Sequence, residues 1–422
     1  MVNPETPGLR LLSLDGGGIR GLSMLLILEH LMYKLKVTED LPDIPHPCDY
    51  FDLIGGTSTG GLIALMLGRL RMSVKDSMEA YGQLTKEVFS DVRLQGSDKK
   101  LKTSKLEKAI KQIVKTYSAS HNPEDKLEDI RDNACKMFVC AMNAANMSLP
   151  VLFRTYNTIN YPAMNCTIWQ AGRATSADPT FFEPIEIGLS GIEEEFVDGG
   201  ISHNNPTASL LSEAKVLFPH HQIACIISLG TGQPHTISIP KLSLLNRFPL
   251  SNAIQGMVTD CEKTHQFFAD HFAGTANLYF RFNVEQGMQN IPPNQWEKLS
   301  HVAANTRQYI QSQLVITQLA KAATSLSEKI GKVSAAPVLT AIEMGQSQVV
   351  PTLVRCPPPS QIFQGRQDIL VKMKDYFSKD IGKRHVYVLH GLGGSGKTQI
   401  ALKFLDMMNQ YPTPRYFNQN IM

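Results

Sequence analysis

Short apolar runs alternate along the chain with stretches whose apolar residues recur at helical spacing, which predicts an α/β fold with a largely parallel central sheet. Leu9–Leu14 (LRLLSL) reads as a strand running directly into Asp15-Gly16-Gly17-Gly18, and residues 21–36 then carry apolar positions three and four apart. Residues 50–54 predict a second strand, followed by a glycine-rich turn and an apolar helix over 60–70. Amphipathic helices are expected over Val74–Phe89 and 102–117, and strands over 136–141 and 151–156. Phe196-Val197 leads into Asp198-Gly199-Gly200, and IACIISL at 223–229 predicts a buried strand. From 251 to 327 the pattern is mostly helical, with a strand-like interruption at 278–282.

The rhythm changes after residue 330. Residues 331–361 hold Pro337, Pro351 and the run Pro357-Pro358-Pro359 with little periodicity, so a stiff linker is expected there. Beyond it, HVYVL at 385–389 predicts a strand that enters a second glycine-rich loop. With 422 residues, one large domain plus an attachment is the expected organisation.

Composition narrows the function classes. Hydrophobic residues make up 43% and charged residues 19%, which is globular composition. The net charge of +3 is too small to argue for nucleic acid as partner. No basic segment followed by a long apolar one opens the chain, so no signal peptide is expected, and the apolar stretch at 22–35 is too short and too polar to span a bilayer. The seven cysteines show no CxxC pair or metal-ligand spacing, which fits buried thiols in a reducing compartment. The expected location is cytoplasmic, with any membrane met from outside. Lys99, Lys100, Lys102, Lys105, Lys108, Lys111 and Lys115 cluster on the 102–117 helix or just before it. They read as a solvated face or, more sharply, as a surface that docks to anionic membrane.

Three glycine-containing fragments carry candidate chemistry. Gly56-Thr57-Ser58-Thr59-Gly60 is a G-x-S-x-G between a strand and a helix. Such a tight turn projects a serine hydroxyl out of the fold, while the glycines permit the crowded backbone. Asp15-Gly16-Gly17-Gly18-Ile19-Arg20-Gly21 also joins a strand to a helix, and its exposed N–H groups could stabilise an oxyanion or cradle a phosphate. The glycines are packed as GGG and not as GxGxxG, which weakens a dinucleotide reading. Asp198-Gly199-Gly200 ends a short strand, and only the fold can bring it to Ser58. Taken alone it is a turn; taken in order after the other two it supplies an acid.

The combination resembles the patatin-like phospholipase family, on DGGGIRG at 15–21, GTSTGG at 56–61, QAGRATSADPTFF at 170–182, DGG at 198–200 and SLGTG at 228–232. The resemblance covers residues 8–330 and implies a three-layer sandwich, its mostly parallel sheet flanked by helices. It implies a calcium-independent lipid acyl hydrolase of phospholipase A type acting on membrane lipids. Ser58 would be the nucleophile, Asp198 its direct partner in a dyad, and Gly16, Gly17 and Gly18 the oxyanion loop, with no cofactor needed for hydrolysis. Arg20 would either steer an anionic head group or hold that loop. An alternative triad through His203, His265 or His271 is less consistent with a GGG loop on the first strand.

Gly391-Leu392-Gly393-Gly394-Ser395-Gly396-Lys397-Thr398 matches the phosphate-binding pattern GxxxxGK[ST]. Residues 362–422 resemble the entry to an NB-ARC or NACHT-type ATPase, and a patatin domain joined to one looks like a fungal NOD-like receptor. In that alternative the hydrolase is the effector arm. Gly391, Gly396, Lys397 and Thr398 would contact ATP in an intact module. No acidic Walker B strand follows, so this segment is expected to be a truncated module that does not hydrolyse ATP.

Overall fold

The computed structural model describes residues 7–90, 99–132, 134–158, 162–233, 261–334, 366–377, 400 and 403–404. Strand β1 (Leu9–Leu14) is buried along its whole length, as an apolar run covered on both faces must be. It pairs in parallel with β2 (Leu53–Thr57) on one side and β7 (Gln222–Leu229) on the other. Beyond β2 lies β3 (Lys136–Asn143), and beyond β7 lies β8 (Tyr279–Phe282), both again parallel. Antiparallel pieces complete the nine-stranded sheet among the described residues: β4 (Asn146–Arg154), β5 (Ile185–Ile187), β6 (Glu194–Asp198) and β9 (Val333–Ser334). The chain thus stays with the sheet through Ser334, past the expected end of the domain at residue 330.

Helices cover both faces. One alternating set of strand positions, including Leu12, Ile54, Val139 and Ile227, shares a core with α1 (Leu22–Thr38) and, after the short α2 (Pro47–Tyr50), with α3 (Thr59–Ala64), α4 (Val74–Phe89), α5 (Lys99–Tyr117) and α6 (Ile168–Thr175). On the other face, a Cβ built on Gly55 would lie 2.5 Å from the Phe138 ring and 3.2 Å from Leu210 of α7 (Thr207–Leu217). The later helices are α8 (Cys261–His271), α9 (Leu299–Ile310) and α10 (Gln313–Glu328). α1 is apolar almost all round because α4, α9 and α10 pack against it.

Two expected elements are displaced. The second strand begins at Leu53 and not at residue 50, because Pro47 opens a helical turn over Pro47–Tyr50. It then continues through Gly55 and Gly56, which read as a turn but lie in the sheet, where Phe138 and Leu210 leave no room for a side chain at Gly55. The helix expected over 60–70 is α-helical only to Ala64 and widens into a π-turn over Leu65–Arg69, where the Leu70 N–H donates to the Leu65 carbonyl at 2.9 Å.

The chain divides into two units, Met1–Ala341 and Ile342–Met422. In the second, α11 (Gln367–Phe377) buries Leu370 and Met373, and Ile400 and Phe404 are also buried. Gly391, Gly396, Lys397 and Thr398, the strand expected at 385–389 and most of the proline-rich stretch lie outside the described residues. Among the described residues, Cys48, Cys135, Cys140, Cys166, Cys225 and Cys261 form no disulfide.

A Cβ on Gly60 would stand 2.2 Å from the Leu14 carbonyl oxygen, a backbone atom of β1 that cannot step aside. Gly60→Ala is therefore expected to cost about 3 kcal/mol or more by overpacking. A denaturant midpoint equal to that of the parent protein would contradict this account of how β1 and α3 pack.

Candidate active site

One edge of β3 carries two strands laid end to end. β2 runs parallel to it and finishes with Thr57 opposite Cys140. β6 runs the other way and finishes with Asp198 opposite Ala141, while β4 occupies the far edge. Consecutive positions on β3 therefore bring together two strand ends, and with them Ser58 and Asp198, which lie 140 residues apart. Ser58 follows Thr57 at once, and its hydroxyl donates to Asp198 Oδ2 at 2.6 Å.

The turn at Ser58 is strained. Its φ of 54° and ψ of −123° are unusual for a residue with a side chain, and such positions cost on the order of 1–3 kcal/mol. Neighbouring contacts hold it there. The Ser58 N–H donates to Thr175 Oγ1 at 2.8 Å, and the Thr175 hydroxyl donates in turn to the Cys140 carbonyl at 2.7 Å. The Ser58 carbonyl accepts the Leu62 N–H at 3.1 Å and starts α3. A Cβ on Gly56 would lie 2.2 Å from the Gly60 carbonyl oxygen, so the turn closes only with glycine there.

Asp198 is 4% exposed, and its second oxygen, Oδ1, accepts the Gly200 N–H at 2.6 Å. Burial pushes its carboxyl up to about 7, against the opposing pull of the hydrogen bonds from Ser58 and Gly200; the nearby charge of Asp178 adds to the rise. The contact is direct, with no histidine between the two side chains. The His203 ring bonds Ser202 Oγ at 2.8 Å, and its backbone carbonyl accepts the Thr57 hydroxyl at 2.9 Å. His265 stacks on Tyr279 and His271 on Phe267.

The glycine loop is fixed by its carbonyls. Thr231 Oγ1 donates to the Gly16 carbonyl at 2.9 Å and Arg20 Nε to the Gly17 carbonyl at 3.3 Å. The Gly18 carbonyl accepts from the Tyr81 hydroxyl and, at 3.2 Å, from Thr59 Oγ1. In a trans peptide plane the N–H points opposite the C=O, so these anchors aim the next residue's N–H the other way. The N–H groups of Gly17 and Gly18 have no partner among the described residues, whereas Ile19 N–H donates to the Pro293 carbonyl at 2.8 Å. Gly16 departs from expectation: its N–H is already engaged by the Asn204 carbonyl at 3.1 Å. Gly18 has φ +58°, and a Cβ there would lie 2.2 Å from the Pro293 carbonyl oxygen. Of the two roles open to Arg20, the observed contact is the one that holds the loop.

Beneath the loop sits an ion pair that the sequence did not disclose. Asp15 Oδ2 and Arg281 Nη2 are 2.7 Å apart, with side chains 1% and 4% exposed. Arg281 also donates to Ser228 Oγ and Glu262 Oε1, each at 3.0 Å. Burial opposes the charge of the guanidinium, yet Asp15 outweighs it and holds Arg281 protonated. An arginine inside the apolar strand YFRF is the one signal that could have pointed to a buried partner. The QAGRATSADPTFF segment also gains a physical meaning: Gln170 caps α6, Thr175 fixes the Ser58 N–H, and Ser176, Asp178, Phe181 and Phe182 line the cavity at Ser58.

That cavity is about 70 Å³ and is bounded by Ser58, Asp198 and Gly18 at one end and by Leu84, Val88 and Phe89 among its apolar walls. Phe89 packs edge-on against Phe181 with centroids 6.1 Å apart. The basic run on α5 is partly neutralised: Lys111 pairs with Glu107 at 2.9 Å and Glu124 at 3.1 Å and stands over the Trp169 ring. Lys108 and Lys115 are exposed. Among the described residues no cluster of three or more His, Cys, Asp or Glu could hold a metal ion, and no helix is long and apolar enough to cross a membrane.

A strained serine turn, a buried carboxylate in contact with it and two backbone donors unpartnered among the described residues, set on an α/β sheet, form an arrangement similar to that of serine hydrolases. Residues 12–211 match the family described as Patatin-like phospholipase, and the chain contains that domain. It is 30% identical over 323 residues to human calcium-independent phospholipase A2-gamma, covering 72% of this chain and 38% of the relative. It is 26% identical over 287 residues to phospholipase A I of Arabidopsis thaliana, covering 54% of this chain and 21% of that one. A further Arabidopsis relative, 28% identical over 243 residues (54% of this chain, 62% of the relative), is described as a probable inactive patatin-like protein. The chain thus spans well under half the length of the human relative.

Because Asp198 is easier to protonate in the folded chain than in the unfolded one, its ionisation opposes folding. Its contribution to stability is greatest below the unfolded value near 3.8 and is lost as pH rises through about 7. Asp198→Asn should therefore melt higher than the parent at pH 8, by up to about 4 kcal/mol, and lose that advantage near pH 4. Thermal melts at the two pH values test this. A variant destabilised equally at both would show that the charge does not strain the fold.

Proposed function

We propose that the chain is a lipid acyl hydrolase that cleaves fatty acyl esters with Ser58 as nucleophile and Asp198 as its base. The observation that carries this reading is the direct 2.6 Å contact between Ser58 Oγ and a buried carboxylate titrating near neutrality. A carboxylate at its ordinary value is too weak a base to draw a proton from serine; one raised to about 7 is closer to the task and is still substantially ionised at neutral pH.

In the proposed reaction, Asp198 takes the Ser58 proton as Oγ attacks the ester carbonyl. The developing oxyanion is met by the Gly17 and Gly18 N–H groups, each such donor being worth about 3–4 kcal/mol of barrier. The alcohol leaves with the proton held by Asp198. Water then attacks the acyl-enzyme with the same carboxylate as base, releasing the fatty acid and restoring the serine. The positive end of α3 adds to the stabilisation at Ser58. The relatives' names support a phospholipid substrate, and the apolar walls of the cavity suit a fatty acyl group. A membrane surface is the proposed partner, with cytoplasmic exposure.

A second reading rests on the GLGGSGKT motif at 391–398. In it the chain is part of a NOD-like signalling receptor whose P-loop is a nucleotide switch and whose patatin domain is the effector. The two readings are compatible, since an effector arm can also be an active hydrolase.

Incubation with mixed lipid vesicles in excess chelator, with identification of released fatty acid, tests the main reading. Hydrolysis should persist without calcium, and kcat/KM should rise with pH through a midpoint near 7 as Asp198 ionises. Ser58→Ala should remain folded and lose on the order of 10⁶ in rate. Wild-type turnover in folded Ser58→Ala would remove Ser58 from the reaction.

A further inference from the structure

The cavity at Ser58 has a neighbour. Leu62 of α3 and Leu84 of α4 line both it and a second void of about 10 Å³, whose other sides include Leu65, Met66, Ile110, Ile113 and Ile168. Every side chain around the second void is apolar. A space of that size is at the lower limit for one water and offers it no polar side chain, so it stays dry and suits hydrocarbon. The two leucines are the shared wall between the reacting serine and this dry seam.

The wall is built to yield. The π-turn over Leu65–Arg69 interrupts the helix beside the second void, and such turns are frequent at functional sites. Met66 in that turn is unbranched and adaptable, and Ile113 on the opposite side is only half-buried. Leu62 itself sits just one helical turn beyond Ser58, so whatever enters past it is guided directly from the reacting ester.

We propose that Leu62 and Leu84 form an acyl chain-length gate, and that tails too long for the cavity at Ser58 pass between them into the seam bounded by α3, α4, α5 and α6. This deepens the hydrolase reading and rests on it. Short acyl groups are accommodated on the Ser58 side of the wall. Longer ones displace the leucines and gain burial of each further methylene, a several-fold effect on kcat/KM per group.

The test compares kcat/KM for butanoyl, decanoyl and hexadecanoyl p-nitrophenyl esters in the full chain. Met66 lines the seam and not the cavity at Ser58, so Met66→Trp should lower the hexadecanoyl-to-butanoyl ratio about tenfold, with butanoyl hydrolysis unchanged. Ile113→Phe is the milder filling variant and should move the ratio the same way should Met66→Trp fail to fold. Leu84→Ala opens the wall and should raise the ratio. Folded filling variants that keep the wild-type ratio would overturn the gate, as would variants that lose butanoyl and hexadecanoyl hydrolysis equally. A wild-type chain inert on every ester would take down the hydrolase reading and the gate together; an active one with an unmoved ratio removes the gate alone.

Discussion

The site depends on one edge of β3 being divided between two strands. A strand edge ordinarily supports a single neighbour, but β2 stops opposite Cys140 and β6, running the other way, stops opposite Ala141. The end of each strand is then fixed by the same rigid ladder, with one residue step between them. Two residues distant in the chain thus meet with hydrogen-bond accuracy, and neither relies on a flexible loop for its position. Thr175 strengthens this arrangement, because its hydroxyl joins the Ser58 N–H to the Cys140 carbonyl at the point where the two strands meet.

The surrounding polar groups serve to keep unfavourable features in place. A left-handed serine, a buried aspartate and unpartnered N–H groups each raise the free energy of the folded chain. They persist because the loop carbonyls are anchored by Thr231, Arg20, Thr59 and Tyr81, and because Asp15 under the loop is tied to Arg281 on β8. The relative described as probably inactive shows why this matters for interpretation. Similarity across the domain does not carry activity by itself, and the hydrolase reading stands on the geometry at Ser58.

Much of this was legible in the sequence, for identifiable reasons. Leu9–Leu14 and Val74–Phe89 were placed to the residue because each has one clear rhythm and a sharp boundary, an Asp-Gly start of loop in one case and a capping Ser73 in the other. Ser58, Asp198 and the glycine loop were identifiable because their motifs sit at strand ends. What could not be read were contacts that depend on packing between distant segments. Gly55 and Gly56 read as a turn because glycine breaks strands locally; Phe138 and Leu210 explain the first and the Gly60 carbonyl the second. Gly16 reads like its neighbours, yet the Asn204 carbonyl singles it out. Arg281 and Tyr81 carry no motif, and their roles follow from which carbonyl or carboxylate the fold sets against them.

The apolar cavity and the raised carboxyl are aspects of a single arrangement. Asp198 titrates near 7 chiefly because burial disfavours its charged form, and the leucine and phenylalanine walls that would receive an acyl tail lie in the same cavity as that carboxylate. An acyl chain entering the cavity would displace water and strengthen that burial, making Asp198 a stronger base while leaving less of it ionised. The hydrogen bonds from Gly200 and Ser58 work in the opposite direction and keep the charged form within reach at neutral pH. A histidine between serine and acid would relieve the need for this balance, since its ordinary value already lies near neutrality. With direct contact there is no such intermediary, so in the proposed reaction the same hydrophobic surface would both accommodate the substrate's tail and set the strength of the base.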